Sequence, residues 1–244
     1  MRLFITLLVF LISFSMVGCG RTSTKRSKVG NSIALHNLGQ VIDSATSDLD
    51  GDDTTETIAI TYKTHENGHP MGGEIVVLQP RQDGSLNPVW RQKRLNPWKL
   101  RIADVNGDGK HEIIAGVWKK SPKDPIMAKR TFVYSWNGKR MLPKWLGSRL
   151  ARRFDDFTLA DINSDGWDEL LALEVAPKGK HRVSVYRWRC FGFEWLGCSD
   201  DMAGLTAIST ANGKVVMKLG NHELKVIRKK DGDIALVASA PKEE

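Results

Sequence analysis

A chain of 244 residues, 41% apolar and 26% charged, has the make-up of a folded globular protein, and its length allows one large domain or two small ones. A single long apolar run excludes a multi-span membrane protein, and three cysteines exclude a disulfide-dense miniprotein. Eight Trp, 22 Gly and a net charge of +8 point instead to aromatic-rich strands, many turns and an anionic partner or surface.

In chain order, the first element reads as an export signal. Arg2 precedes the almost wholly apolar run Leu3 to Val17, which is too short to span a bilayer comfortably and ends in the small residues Gly18, Cys19 and Gly20. The run MVGC resembles a bacterial lipobox, which implies cleavage before Cys19 and a lipid on that cysteine; a plain signal peptide with an incidental cysteine is the alternative. Residues 1–18 are thus expected to be the signal, 19–30 a lipid-anchored polar tether, and 31–244 the repeat domain. Four cations of the tether, Arg21, Lys25, Arg26 and Lys28, suit a membrane with anionic headgroups. The expected location is the cell envelope, with Gly20 after the cysteine favouring an outer-membrane or extracellular face.

Three acidic segments then recur: DLDGDDTTE from Asp48, DVNGDGKHE from Asp104 and DINSDGWDE from Asp161, at steps of 56 and 57 residues. A fixed period of that size is the mark of a repeat architecture. Oxygen side chains fall at loop positions one, three, five and nine: Asp48, Asp50, Asp52 and Glu56; Asp104, Asn106, Asp108 and Glu112; Asp161, Asn163, Asp165 and Glu169. Calcium takes six to eight oxygens at about 2.3 to 2.6 Å, and position seven, held by Lys110 and Trp167 in the second and third loops, can add its carbonyl. Gly109 and Gly166 permit the sharp turn at position six, and Asp53, able to adopt left-handed backbone angles, takes that place in the first loop. A metal-free hairpin turn needs only one or two special residues, whereas these loops keep four oxygen donors three times over.

An EF-hand needs flanking helices, but the flanks here are strand-like: ETIAITY, EIIAGVW and ELLALEVA follow the loops. Each unit continues in strands, with VYSW and VYRW and a repeated WLG supporting the register, and a degenerate fourth unit follows near Leu205. Four strands per unit in four units predict an all-β, β-propeller-like fold whose calcium loops are hairpin connections. The loops and strands resemble the FG-GAP and VCBS repeat families, the calcium-loop propellers of which integrin alpha heads are the familiar example. The likeness spans about residues 41 to 240 and is weak in the last unit, where Ala207 to Lys214 holds no carboxylate. Family members commonly have seven blades. The resemblance therefore implies either a small ring clasped by the strand from Ile33 or a partial ring completed by an oligomer or partner.

With the signal, the tether and the acids of the three loops set aside, 31 basic residues face 16 acidic ones. Up-and-down strands put the acidic loops at one end and the basic connections at the other. That basic end would present Arg91, Lys93, Arg94, Lys99 and Arg101, then Lys119, Lys120, Lys123, Lys129 and Arg130, then Arg149, Arg152 and Arg153, then Lys178, Lys180 and Arg182. Charge of this kind suits an anionic envelope polymer or an acidic protein surface, and nucleic acid ranks low outside the cytoplasm. Trp90, Trp136, Trp145, Trp188 and Trp195 recur at matching strand positions and are expected to pack between sheets; Trp98, Trp118 and Trp167 lie nearer loops, where a ligand could stack.

The competing enzyme reading is His65-Glu66-Asn67-Gly68-His69, an HExxH match that would make the protein an envelope zinc hydrolase. Asn67-Gly68 and His69-Pro70 are turn signals, so the helix that motif needs is not expected, and the protein is read as a non-enzymatic binding or scaffolding module. Cys190 and Cys198 are either a disulfide or two separate thiols.

Overall fold

Runs of Ile, Val, Leu and Thr bounded by Gly- and Asp-rich turns build sixteen strands in the computed structural model, which describes residues 38, 40–62, 73–121, 124–147, 150–211, 213–228 and 233–238. In the first sheet these are β1 (Gln40–Ser47), β2 (Glu56–Tyr62), β3 (Glu74–Pro80) and β4 (Leu86–Gln92). The second holds β5 (Pro97–Ala103), β6 (Glu112–Ser121), β7 (Asp124–Trp136) and β8 (Met141–Trp145). The third holds β9 (Phe154–Ala160), β10 (Glu169–Val175), β11 (His181–Arg189) and β12 (Gly192–Cys198), and the fourth β13 (Leu205–Ala211), β14 (Lys214–Leu219), β15 (His222–Arg228) and β16 (Ile234–Ala238). Each sheet runs in chain order with antiparallel neighbours, so the four four-stranded units expected from the repeat are present. Among the described residues there is no α-helix, only a short 3₁₀ turn at Pro177–Gly179.

Successive sheets stack face to face through the first strand of each, β1 on β5, β5 on β9 and β9 on β13. Three apolar cores fill the gaps. Ile58, Ile60 and Val77 meet Leu100, Ile113 and Tyr134 in the first; Ile114 and Trp145 meet Phe157, Leu170 and Tyr186 in the second; Leu171 and Val183 meet Ile208 and Met217 in the third. The second strand of each of the first three sheets is covered on both faces, which is why ETIAITY, EIIAGVW and ELLALEV are nearly continuous apolar runs instead of alternating ones. Proline sits where a missing donor does least harm, Pro88 and Pro143 on the edge strands β4 and β8.

Two irregularities repeat along the chain. A register shift in the first strand passes over Ile42, Trp98, Asp155 and Thr206. A second, in the fourth strand, passes over Val89, Lys144 and Leu196. Such bulges re-aim side chains, and the first kind marks the fourth unit as a true repeat although its loop has lost its acids.

Several expectations are corrected. Lys99 does not belong to an exposed basic surface: it lies in β5 with 8% exposure, its ammonium on Asp156 and the Ile208 carbonyl. Trp195, expected between sheets, is half exposed because it lies on the edge strand β12. Trp98 is half-buried against Phe157 and offers no free loop platform. Of the two alternatives left open for Cys190 and Cys198, separate free thiols are found, with Cys190 exposed at the β11–β12 turn. The signal, Cys19, the tether, the Ile33 strand, Lys123, Arg149 and the His65–His69 motif lie outside the described residues.

Candidate metal centre

All three acidic segments are the connections between first and second strands, as expected, and they share one end of the stack. The backbone is left-handed at position four in each, at Gly51, Gly107 and Ser164, and again at position six, at Asp53, Gly109 and Gly166. Asp53 therefore does what glycine does in the other two loops.

The carboxylate at position one organises the turn. Asp48 accepts from the amides of Gly51, Asp52 and Asp53, Asp104 from those of Gly107 and Gly109, and Asp161 from those of Asp165 and Gly166. The glutamate at position nine begins the next strand and reaches back, accepting the position-two amide: Leu49 to Glu56 at 3.0 Å, Val105 to Glu112 at 3.1 Å and Ile162 to Glu169 at 3.2 Å. One oxygen of each buried glutamate is thereby fixed and the other faces the loop.

What meets that second oxygen separates the loops. Glu112 Oε1 takes the Lys144 ammonium at 2.6 Å, delivered by the bulge in β8. Glu169 Oε1 takes the Arg187 guanidinium at 3.1 Å and the Asn163 amide at 2.9 Å, and Arg187 also pairs with Asp165. Glu56 Oε1 receives only the neutral amide of Gln79, at 3.1 Å. Among the described residues, the second and third loops thus carry an internal cation, and the first does not.

In the first loop, Asp48, Asp50 and Glu56 each bring a carboxylate oxygen within 4.8 Å of the others, the one such group among the described residues. Asp50 Oδ1 is buried with no hydrogen-bond partner. Burial, reinforced by Asp52 and Asp48, pushes the Asp50 carboxyl up from its ordinary value, and burial also raises Glu56. Three crowded acid groups and one unsatisfied buried oxygen are the environment a hard divalent cation relieves, so this donor set could hold a metal ion. Asp52 lies exposed at the loop's outer edge, its Oδ1 capping the Thr54 amide. In the other loops Asn106 donates to Asp108 and Asn163 to Asp165, and burial raises Glu112 upward and Glu169 to about 7.

The loops also interlock, which spacing alone did not reveal. The residue at position eight reaches the preceding loop: His111 Nδ1 lies 2.6 Å from Ser47 Oγ, and Asp168 accepts the Asp104 amide at 3.1 Å while its own amide donates to the Asp104 carbonyl at 2.8 Å. At position seven, Trp167 lies so close over Gly107 that a Cβ there would fall within the indole, and the Lys110 stem lies beside Gly51. Arg187 lies over the Trp167 ring at 5.6 Å. A matching 64-residue offset for His111 and Asp168 was the available signal.

A second set of equivalent positions joins the first strands, five residues before each loop. Asp43 Oδ2 accepts the Leu100 amide of the next sheet at 3.0 Å, and Asp156 Oδ2 accepts the Ile208 amide at 3.3 Å. Between them stands Lys99, whose ammonium pairs with Asp156, while Arg101 pairs with Asp43 at 3.3 Å. Burial, with Arg101 adding to it, lowers Lys99 to about 8 against the opposing pull of Asp156.

At the far end, Lys93, Arg94, Arg152 and Arg153 are exposed, and Arg91 pairs with Glu74. No protein-family model matches the chain, nor does any curated protein.

Proposed function

We propose that the protein is a calcium-stabilised, β-propeller-like repeat module of the FG-GAP and VCBS type that serves as a binding or scaffolding part of the cell envelope, exported and lipid-anchored through Cys19, and not an enzyme. The observation that carries the metal assignment is the first loop, where Asp50 Oδ1 is buried without a partner beside Asp48 and Glu56. Calcium there would neutralise three crowded carboxylates and tie the β1–β2 turn together. The second and third loops offer the same donor spacing with Lys144 and Arg187 already in place, so they are the weaker sites. Stacking through first strands, with the three main cores lying between successive sheets, supports the propeller-like reading. In this reading the acidic end is structural and the basic end meets an anionic partner, with a second copy or another protein completing the ring.

Calorimetric titration of calcium into chelator-treated protein tests this. One dominant site is expected, lost in Asp50→Ala. Saturating calcium at about one hundred times its dissociation constant stabilises by about 2.7 kcal/mol, a rise of about 5 to 10 °C in melting temperature. Absence of binding heat together with superimposable melting curves in calcium and in chelator would sink the assignment.

A further inference from the structure

The hairpin of β6 and β7 is longer than its sheet. Its strands run for 10 and 13 residues, whereas β5 and β8 flank them for only 7 and 5. Pairing with β5 ends at Val117, followed by one hydrogen bond from the Trp118 amide to the Asn96 carbonyl at 3.0 Å, and pairing with β8 ends at Val133. Lys119–Ser121 and Asp124–Arg130 therefore extend past the sheet as a two-stranded arm at the basic end, with Trp118 at its base. Two-stranded ribbons are marginal on their own. This one is braced by Arg130, which is almost fully buried and donates to the carbonyls of Lys119, Asp124 and Ile126 while pairing with the Asp124 carboxylate at 2.9 Å.

The braced arm exposes what a soluble hairpin ordinarily hides: Trp118, Ile126 and Met127 are 44%, 53% and 39% exposed. Around them stand Lys119 and the exposed Lys120, with Arg152 and Arg153 across a cleft of about 50 Å³ that Ile126 and Phe154 help to line. Arg152 and Arg153 are exposed and form no hydrogen bond or ion pair with any described side chain; the Arg153 carbonyl takes only the Val175 amide. A soluble polyanion would be satisfied by the cations alone. A rigid projection that combines an indole, two aliphatic tips and a ring of cations matches a lipid surface, where the apolar tips enter the headgroup layer and the cations meet anionic headgroups.

We propose that this arm, with Arg152 and Arg153 beside it, is a contact surface for bilayers containing anionic lipid. The inference rests on the reading of the basic end as the partner-binding end and names its partner. Hydrogen–deuterium exchange of the full chain reads the arm locally, independently of any lipid-binding segment elsewhere. Vesicles containing phosphatidylglycerol should protect residues 117–130 and 150–154, and vesicles of phosphatidylcholine alone should not. The lipid concentration giving half-protection should rise at least about 25-fold in Arg152→Glu/Arg153→Glu, from about fivefold per lost surface cation, and protection should also weaken in Ile126→Ser/Met127→Ser. If soluble polyphosphate protects the arm as well as vesicles do and Ile126→Ser/Met127→Ser changes nothing, the lipid inference fails while the basic-end reading stands. Protection by neither probe overturns both.

Discussion

At Gly107, two constraints coincide: a left-handed backbone angle of 72° and the Trp167 indole occupying the space a side chain would need. Gly107→Ala is therefore expected to destabilise by about 1 to 3 kcal/mol, seen as a lower denaturant midpoint with an unchanged slope. Gly109, equally left-handed but with nothing near its missing Cβ, should cost less on the same substitution. The acids and glycines of the loops were legible in the sequence because each position has one dominant chemical job, and Asp53 was readable as a glycine substitute for the same reason. The partners of those acids were not. Gln79 and Arg187 come from the third strands of their units and Lys144 from a fourth strand, each at a different distance along the chain from its glutamate, so no local spacing exposes the fact that they meet equivalent glutamates.

Strands were the most legible elements, since apolar runs between turn residues leave little choice. Lys99 was misplaced because its neighbours Arg101, Arg94 and Lys93 made a charge run, and a charge run reads as surface. The bulge at Trp98 instead brings Lys99 into line with Asp43 and Asp156, a register that only the paired strands reveal. The lowered Lys99 value carries a sign. Its folded pKa, about 8, lies below the ordinary lysine value of about 10.4, so the unfolded chain binds more protons between those limits. The stability this group contributes is present at the top of that window and lost as pH falls through 8. Wild-type protein should gain on Lys99→Met between pH 8 and pH 10 in urea titrations. The β8 bulge supports a second expectation. Lys144→Met leaves Glu112 buried without its cation, at a cost of about 3 kcal/mol, and makes the second loop resemble the first. Calcium should restore much of the variant's lost melting temperature.

For the whole molecule, the middle two sheets have an apolar core on each face, the first sheet has one core plus the smaller cluster of Ala59, Val76 and Leu78, and the fourth has a single core. Stability in such a stack is shared between neighbours, so opening should begin where a neighbour is missing. Native-state hydrogen exchange is expected to find β13–β16 least protected and β6 and β10 most protected; uniform protection across all four sheets would contradict this. The number of units was legible from the period, whereas their order of contact came only from the register of first strands. The linked acidic turns have a direction as well. Lys110 and His111 overlie the turn before them, and Trp167 and Asp168 do the same one unit later, like shingles lapped one way. During synthesis, then, each course stays uncovered until its successor leaves the ribosome. The third has no successor able to roof it, because only two residues join β13 to β14.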